Sequence, residues 1–303
     1  METILITGAT GLIGQEIVAQ CHQKGINVNY LTTSKSKLSQ KENYKGFYWN
    51  PKQGEIDTSC FEGVKTIINL VGASVSKRWT NSYKKEIIES RTQTAKLIAN
   101  VIKSNNFEVE HIISASAIGI YPSSFEKIYD ETNEEISSSF LGQVVSVWED
   151  AVDEFKSIDI KVSKVRIGIV LSNKGGALVE IIKPIKLGAG AAFGNGKQWQ
   201  SWIHISDLAK LFLHIKDQKL EGIFNGVASN PVTNAELTKQ AAKVLKRPLI
   251  LPNIPKFAMK LALGDMHIIL YESQNVRADN VIETGFEFEF ENIDSALKDL
   301  LIQ

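Results

Sequence analysis

The sequence predicts an α/β fold in which a doubly wound parallel sheet is joined to a smaller, mostly helical C-terminal lobe. Short apolar strand patterns alternate with helical patterns over roughly the first 170 residues, which is typical of a parallel sheet covered by helices. After residue 171 the alternation loosens and prolines interrupt further helical patterns. We therefore expect residues 1–171 to form the sheet domain, with 203–228 returning to it, and residues 172–202 and 229–303 to form the lobe.

The first strand, turn and helix carry the strongest functional pattern. Residues 4–6 are an apolar run that predicts a buried strand, and apolar residues recur at helical spacing from Ile13. Gly8, Gly11 and Gly14 stand between them, where a glycine can adopt positive φ and let a pyrophosphate approach the backbone at a helix N-terminus. The spacing differs from the usual G-x-G-x-x-G. We predict a dinucleotide site rather than a tight turn without a ligand; its expected contacts are Gly8, Thr10, Gly11, Leu12 and Ile13.

The second predicted strand, residues 27–31, indicates which dinucleotide is bound. An acidic residue shortly after this strand would accept hydrogen bonds from the ribose 2′-hydroxyl of NAD, and none is present. Ser34 and Lys35 instead offer a hydroxyl and a positive charge, which suit the 2′-phosphate of NADP. We therefore expect NADP rather than NAD, the alternative interpretation being an ordinary solvated loop.

Four later strand patterns complete the first half of the sheet. They cover residues 47–49, 66–73, 111–119 and 161–171. Gly72 closes one of them and would allow the cofactor to approach closely. Ser114 and Ser116 fall near the carboxyl end of another, where open α/β sheets bind their ligands. We expect Gly72 and Ser114 to contact the cofactor.

Helical patterns occupy much of the remaining chain. Beyond the first helix they cover about residues 83–103, 140–155, 208–215, 233–245, 257–263 and 293–301, and residues 223–228 form a further strand pattern. Thr233 and Glu236 form a capping box. Arg91 lies close to the apolar stripe of its helix, so it is either a solvated residue or a cofactor contact inside the cleft. His204, between two isoleucines, is by default a hydrogen-bonded, half-buried histidine.

The composition excludes several classes of function. Lys plus Arg equals Asp plus Glu at 34 each, so the overall charge favours neither nucleic acid nor a membrane. Cys21 and Cys60 lie far apart in no metal or redox spacing, which indicates a reducing compartment and no metal site. No apolar stretch is long enough to span a bilayer, and a strand beginning near residue 3 leaves no room for a signal peptide. We expect a cytoplasmic monomer or homodimer that acts on a small molecule.

Three segments together resemble an extended short-chain dehydrogenase/reductase: residues 7–14, 114–117 and 202–207. The closer resemblance is to the YfcH-type subgroup of NAD(P)-dependent epimerases/dehydratases, whose C-terminal part is a domain of unknown function. The segments that carry it are 69–72, 77–79, 90–91, 114–121, 148–149, 166–171 and 230–236. The resemblance covers nearly the whole chain. It implies a Rossmann fold that binds NAD(P) and a lobe that closes over the substrate.

The resemblance also implies hydride transfer assisted by a serine and a Tyr-x-x-x-Lys pair. Ser116 matches the serine. The pair is missing, because alignment on Glu149 puts Leu141 and Val145 at the tyrosine and lysine positions. A group must nevertheless accept the proton of an oxidised carbinol. Tyr121 is our first candidate for that group; the further candidates are Arg91, Lys77 and His204.

The leading hypothesis is an NADP-dependent oxidoreductase or epimerase-like enzyme acting on a small hydroxyl or carbonyl substrate. Ser116 would orient the substrate oxygen and Tyr121 would supply the proton, while Lys77, Trp202 and His204 are expected at the substrate. A nucleotide-sugar substrate follows only from the resemblance. A catalytically silent NADP(H)-binding sensor is the alternative, because it accounts for the missing pair. A fold that has lost its cofactor is disfavoured by the intact glycines.

Overall fold

Seven parallel strands form the centre of the sheet in the computed structural model, which describes residues 2–302. They are β1 (Thr3–Thr7), β2 (Asn27–Thr32), β3 (Tyr44–Asn50), β4 (Val64–Asn69), β5 (His111–Ala117), β6 (Lys161–Ile167) and β7 (Gly222–Gly226). Their order across the sheet is 3-2-1-4-5-6-7. The winding therefore reverses between β1 and β4, the place where such sheets bind ligands. The predicted doubly wound parallel sheet is confirmed.

Nine α-helices lie in the described part of the chain. They are α1 (Leu12–Gln23), α2 (Asn81–Asn105), α3 (Phe140–Asp153), α4 (Ala177–Lys186), α5 (Ile205–Asp217), α6 (Asn234–Val244), α7 (Lys256–Leu263), α8 (Asp279–Glu283) and α9 (Ile293–Leu301). The sequence patterns located all of them to within a few residues except α4 and α8. The Thr233 capping box of α6 forms as expected.

Short strands and 3-10 turns fill the connections. The strands are Gln40–Lys41, Glu55–Ile56, Ile128–Tyr129, Ile169–Leu171, Trp199–Gln200, Trp202–His204, Val232–Thr233 and Asn275–Val276. The 3-10 turns include Lys35–Lys37, Ile118–Ile120 and Gly264–Leu270. Gln40–Lys41 and Glu55–Ile56 pair antiparallel with β3 at the edge of the sheet.

Two pairs of helices cover the sheet, α1 against α5 and α2 against α3. The central strands are consequently buried, and residues such as Ile4, Ile67 and Ile112 are fully inaccessible to solvent. Burial on both faces explains why these strands are continuous apolar runs instead of alternating patterns.

The strand predicted at 161–171 is two strands, which corrects the expectation from the sequence. β6 ends at Ile167, and Ile169–Leu171 pairs with Trp202–His204 instead of continuing in the main sheet. Gly168 allows the change, because a Cβ there would lie 2.3 Å from the carbonyl oxygen of Ser201. The neighbouring amide of Ile169 donates a 2.8 Å hydrogen bond to the same oxygen. Gly168 thus directs the chain out of the sheet.

A second apolar core lies among α4, α6 and α9. Its fully buried members include Leu178, Trp202, Leu237 and Leu297. These helices belong to the segments expected to form the lobe, and β7 pairs with β6 inside the main sheet. The exact division into residues 1–171 with 203–228, and 172–202 with 229–303, stays a prediction.

Within residues 2–302, no helix combines the length and the apolar character that crossing a membrane requires. The same residues hold no group of three His, Cys, Asp or Glu side chains arranged to bind a metal ion. Both cysteines are buried as free thiols, and burial raises the pKa of Cys21 to about 12.

Candidate functional site

The turn between β1 and α1 is built from glycine backbone. Gly8 has φ of +75°, in the left-handed region that favours glycine. A Cβ on Gly8 would also lie 3.2 Å from the carbonyl carbon of Leu70. The amide of Gly11 donates a 2.9 Å hydrogen bond to the carbonyl oxygen of Gly8, which closes the turn. A side chain at Gly8 would therefore crowd the loop after β4.

The N-terminus of α1 is open to an anion. Gly11 stands at the N-cap, so no side chain caps the first N–H groups, and the first turn contains no acidic residue. Gly14 brings the helix onto the turn, since a Cβ there would lie 2.3 Å from the oxygen of Gly8 and 2.6 Å from the Cα of Ala9. Unpaired N–H groups and the helix dipole both favour a phosphate at this position. Leu12 and Ile13 supply the first helical N–H groups, and Thr10 lies in the turn.

The end of β2 carries the residues expected at the 2′-phosphate. Ser34 follows the strand with its hydroxyl oxygen 2.9 Å from that of Ser36. Lys35 is exposed, and its ammonium lies 5.2 Å from the ring centre of Tyr48. No carboxylate of residues 2–302 forms an ion pair with Lys35. The loop thus offers a cation that a phosphate could neutralise.

Three buried side chains link the carboxyl ends of β1, β4 and β5. The Thr7 hydroxyl donates to Oδ1 of Asn69 over 2.7 Å, and Nδ2 of Asn69 donates to Oγ of Ser114 over 3.0 Å. Ser114 in turn donates to the carbonyl oxygen of Ala115. All three side chains belong to fully buried residues. They fix the strand ends on both sides of the reversal point.

Arg91 projects from α2 against the loop after β4. Its Nη1 donates to the carbonyl oxygens of Ile87, at 2.8 Å, and Ala73, at 3.2 Å. A Cβ on Gly72 would lie 2.8 Å from the guanidinium carbon. Burial lowers the pKa of Arg91 to about 10, and no carboxylate among the described residues pairs with it. A cation without a carboxylate thus lies beside the glycine predicted to face the cofactor.

Ser116 is bonded to an ion pair. Its Oγ donates to Oε1 of Glu149 over 2.6 Å. Arg166 donates to the same carboxylate through Nε to Oε1, at 2.9 Å, and through Nη2 to Oε2, at 3.0 Å. Burial alone would raise the pKa of Glu149, but the hydrogen bonds and charge of Arg166 outweigh burial and lower it. Glu149 is therefore an ionised, buried carboxylate.

Tyr121 belongs to the same network and is fully buried. The 3-10 turn Ile118–Ile120 leads into it, and its hydroxyl accepts from Nη1 of Arg166, at 3.0 Å, and donates to Oδ1 of Asn225, at 2.9 Å. Burial raises its pKa. The single hydroxyl proton is thus already engaged inside the protein, an arrangement that favours a structural role over the expected proton transfer.

The tyrosine and lysine positions on α3 hold apolar side chains. Leu141 packs in a cluster with Trp79 and Phe140, to which the 3-10 turn Gly264–Leu270 contributes Met266. Val145 lies in the main core with 3% of its surface exposed. Neither position offers a group that can exchange a proton.

Lys77, Trp202 and His204 are the residues expected at the substrate, and their side chains have different surroundings. Trp202 is fully buried in the second core, and its indole N–H donates to the carbonyl oxygen of Asn230. This packing position corrects the expectation that Trp202 contacts substrate, because a side chain without accessible surface cannot reach a ligand in this conformation. Lys77 is exposed, with its ammonium 5.7 Å from the ring centre of Tyr83.

His204 is buried and caps the N-terminus of α5. Its Nδ1 accepts from the amide of Ser206 at the start of α5, and its ring stacks on Phe290. Nε2 lies 3.2 Å from a carboxylate oxygen of Asp299. Burial lowers the pKa of His204, with Asp299 opposing that shift. The expected hydrogen-bonded histidine is therefore present, although it is more deeply buried than the sequence indicated.

The sequence patterns do not predict the hydrogen-bond network around Ser116, in which Glu149 bonds Ser116, Arg166 bonds Glu149 and Asn225 bonds Tyr121. One signal was available: Glu149, Arg166 and Asn225 are each a charged or amide side chain inside an otherwise apolar segment. Such residues are rarely buried without a partner.

Comparison with known families matches nearly the whole chain. The model of the "NAD dependent epimerase/dehydratase family" matches residues 4–225. The model of a "Domain of unknown function (DUF1731)" matches residues 254–300. The two matches divide between the sheet-forming part of the chain and the C-terminal helices.

Individual proteins give the same result. The chloroplastic "Epimerase family protein SDR39U1 homolog" of Arabidopsis thaliana is 34% identical over 303 residues, which cover 99% of this chain and 86% of the plant protein. "Epimerase family protein SAR0825" of Staphylococcus aureus strain MRSA252 is 33% identical, with 99% of each chain covered. The crystal structure of human epimerase family protein SDR39U1 (isoform 2) with NADPH superposes with a TM-score of 0.84 at 26% identity, covering 98% of both chains.

Proposed function

The chain belongs to the NAD dependent epimerase/dehydratase family, and on that basis we propose that it binds NADP(H) and acts on a small hydroxyl or carbonyl compound. This membership confirms the resemblance seen in the sequence. The proposed activity is that of an oxidoreductase or epimerase-like enzyme that works without the Tyr-x-x-x-Lys pair. Nucleotide-sugars are one group within the proposed substrate class.

The open N-terminus of α1, seated on the Gly8 turn by Gly14, is the observation that carries the proposal. The two glycines let the turn pack against Leu70 and let α1 pack against the turn, and no side chain caps the first N–H groups of α1. A pyrophosphate fits such a site through backbone donors and the helix dipole. Gly8, Thr10, Gly11, Leu12 and Ile13 would hold it.

Two observations support NADP over NAD. The loop after β2 presents Ser34 and Lys35 and no carboxylate within residues 32–37. The human relative was crystallised with NADPH. In our proposal Lys35 pairs with the 2′-phosphate and Ser34 donates a hydrogen bond to it, as charged and hydroxyl groups do at phosphate sites.

The reacting end would lie at the carboxyl ends of β4 and β5. When bound, the nicotinamide supplies or accepts a hydride there. In our proposal Ser116 orients the substrate oxygen, Gly72 allows the cofactor to approach, and the Arg91 guanidinium meets an anionic oxygen of the cofactor. The sequence predicts that Ser114 contacts the cofactor, but its side chain is fully buried and hydrogen-bonded to Asn69 and Ala115. In our proposal Ser114 therefore acts by fixing the end of β5.

Calorimetric titration of the purified protein with NADPH, NADP⁺ and NADH tests the cofactor. We expect NADPH to bind at least about tenfold more tightly than NADH, because a paired 2′-phosphate adds a charge-assisted interaction of more than about 1.4 kcal/mol. Incubation of the NADPH complex with a panel of carbonyl compounds, and of the NADP⁺ complex with a panel of alcohols, followed by nicotinamide absorbance, tests turnover. No affinity for any of the three nucleotides would refute the proposal.

A second candidate function is a catalytically silent NADP(H) sensor. The apolar environments of Leu141 and Val145 favour it, because they leave the usual proton-transfer positions without a titratable group. This candidate predicts tight NADPH binding, no turnover with either panel of compounds, and a change in amide hydrogen exchange within the lobe when NADPH is added. The same experiments therefore separate the two functions.

The proposal extends to cellular location and assembly. We propose a cytoplasmic protein that works as a monomer or homodimer. Light scattering on the protein eluting from a sizing column tests the assembly, since the monomer mass is 33.6 kDa. A larger particle would refute that part of the proposal alone.

A further inference from the structure

The hydrogen bonds around Ser116 have directions that can be assigned one by one. Nδ2 of Asn225 donates to the carbonyl oxygen of Arg277 over 2.7 Å, so Oδ1 of Asn225 faces Tyr121. An amide oxygen can only accept, so the Tyr121 hydroxyl donates to it and accepts from Arg166. The orientation of Asn225 thus fixes that of Tyr121.

The direction continues from Arg166 to Glu149. A guanidinium has donors only, and Arg166 directs three N–H groups at Tyr121 and at both oxygens of Glu149. Lys164 adds a second cation 3.7 Å from Oε2 of Glu149, although its closer partner is Asp153 at 2.8 Å. With these cations around it, Glu149 is ionised and has no proton to give.

Ser116 is the last member of the series. Its only proton goes to Oε1 of Glu149, because an ionised carboxylate cannot donate. Toward any third group the Ser116 oxygen then presents lone pairs alone. A substrate carbonyl oxygen next to Ser116 would face another acceptor and could not form a hydrogen bond with it. A substrate hydroxyl could donate its proton to the Ser116 oxygen.

We propose that Glu149 is a positioning residue that makes Ser116 a hydrogen-bond acceptor, so that the substrate group received at the end of β5 is a hydroxyl. The inference rests on the proposed function, and it narrows the substrate class from hydroxyl or carbonyl compounds to hydroxyl compounds at this point of contact. Glu149 acts through Ser116 and does not touch the substrate.

Substitution of Glu149 by glutamine should reverse the direction of the hydrogen bond between Ser116 and residue 149. Arg166 donates on both sides, through Nε to the Oε1 position and through Nη2 to the Oε2 position, but only the Oε2 side also faces the Lys164 ammonium, so the amide oxygen is favoured there. The amide nitrogen then turns toward Ser116 and donates to it. The Ser116 proton becomes free, and Ser116 can donate to a carbonyl oxygen.

The test uses two ligands that do not react with nicotinamides and match in size. The tertiary alcohol 1-methylcyclohexanol is a hydrogen-bond donor that lacks a carbinol hydrogen. The tertiary lactam 1-methyl-2-piperidone offers only a carbonyl acceptor. Ligand-observed NMR gives the affinity of each for the full chain saturated with NADPH. Wild type, Glu149→Gln and Ser116→Ala are compared. Asp207→Asn is the matched control, since it alters a buried carboxylate that binds the amides of Glu289 and Phe290 instead of Ser116.

We expect the wild type to prefer the alcohol by about tenfold, the effect of one mispaired polar contact in a buried site. Glu149→Gln should shift the ratio toward the lactam by at least about fivefold, Ser116→Ala should bring it near one, and Asp207→Asn should leave it unchanged. Equal binding, a preference for the lactam, or no binding of the alcohol by the wild type would overturn the inference.

A second measurement does not depend on Glu149→Gln folding. Carbon-13 NMR of glutamate carboxyls follows the titration of Glu149 in wild type and in Ser116→Ala. Loss of the serine donor should raise the pKa of Glu149, because a donor to the charged form stabilises it. An unchanged titration would contradict the assigned direction. Titration with NADPH precedes both measurements, so failed cofactor binding refutes the proposed function, whereas intact cofactor binding without ligand preference refutes only this inference.

Discussion

The carbonyl oxygen of Gly8 lies so close to Gly14 that a Cβ on Gly14 would be 2.3 Å from it. The first turn of α1 therefore rests directly on the turn that follows β1. In the proposed site, this contact sets the distance between the free N–H groups of α1 and the phosphate. The absence of a side chain at Gly14 would then be needed for cofactor binding even though Gly14 itself need not touch the cofactor.

Gly14→Ala should displace α1 from the turn. We expect NADPH affinity to fall by at least about tenfold and the free energy of unfolding to fall by about 1–3 kcal/mol, because the added methyl overpacks against backbone atoms. Calorimetry and urea denaturation measure the two effects. Gly175→Ala is the control, since its Cβ would meet nothing closer than a Leu12 methyl at 3.8 Å. Equal behaviour of the two variants would contradict this role of Gly14.

Lys35→Glu should reverse the preference between the two nucleotides. A carboxylate at this position repels the 2′-phosphate and can bind the 2′-hydroxyl of NADH. We expect NADPH binding to weaken by at least about tenfold and NADH binding to be equal or tighter. Lys37→Glu, two residues along in the same turn, is the comparison in calorimetric titrations. A similar loss in both variants would mean that general charge, and not a contact of Lys35, attracts the phosphate.

Arg91→Met should separate binding from stability. Arg91 is a half-buried cation that pairs with no carboxylate of residues 2–302, and replacing a desolvated charge by an apolar group of similar length is often neutral or stabilising. We expect an unchanged or higher unfolding midpoint in urea and an NADPH affinity lower by about tenfold. Arg78→Met, which removes an exposed cation from the preceding loop, serves as the control. Unaltered NADPH affinity would remove Arg91 from the cofactor site.

The Tyr-x-x-x-Lys pair that is missing from α3 cannot be restored at both positions without loss of stability, because Val145 lies in the main core. Val145→Lys places a charge in the main core and should lower the free energy of unfolding by about 3 kcal/mol or more. Leu141→Tyr, in a partly exposed cluster, should lower it by less than about 1.5 kcal/mol. Urea denaturation of both single variants provides the comparison. A loss below about 1.5 kcal/mol for Val145→Lys as well would show that the surroundings of α3 still accommodate the pair.

His111 should make the protein acid-sensitive. Burial, assisted by Lys161 and Lys219, lowers its pKa from the model-peptide value of 6.5 to about 4. Between these values the unfolded chain binds more protons than the folded one, so stability falls as the pH falls from 6.5 to 4. The contribution has a slope of up to about 1.4 kcal/mol per pH unit. His111→Gln, which can keep the hydrogen bond to Ser163, should flatten the stability profile in that window; an identical profile would contradict it.

The sequence pattern located the glycine turn between β1 and α1, because the strand, the glycines and the helix that define it are consecutive in the chain. The change from strand to helix periodicity, and the glycines between, lie within residues 4–21. The point where the chain leaves the main sheet, at Gly168, could not be predicted from local sequence. It depends on the carbonyl oxygen of Ser201, which is more than thirty residues further along the chain.

The network at Ser116 shows the same limit more sharply. Ser116 could be located from its strand, but Glu149, Arg166 and Asn225 come from a helix and two other strands. Tyr121 follows Ser116 closely in sequence, yet the turn Ile118–Ile120 directs it to Asn225. Periodicity predicts which side of an element is buried, and it does not predict which buried polar groups meet.

The linked side chains of Thr7, Asn69 and Ser114 have an evolutionary consequence. Each hydroxyl or amide proton is used by the next member of the series, so an apolar replacement at one position leaves a neighbour buried and unpaired. An apolar substitution at one of the three positions should therefore lower stability, whereas simultaneous apolar substitutions should lower it less than their sum. Across related sequences, these three positions should covary and be inherited as a set, although up to 107 residues separate them along the chain.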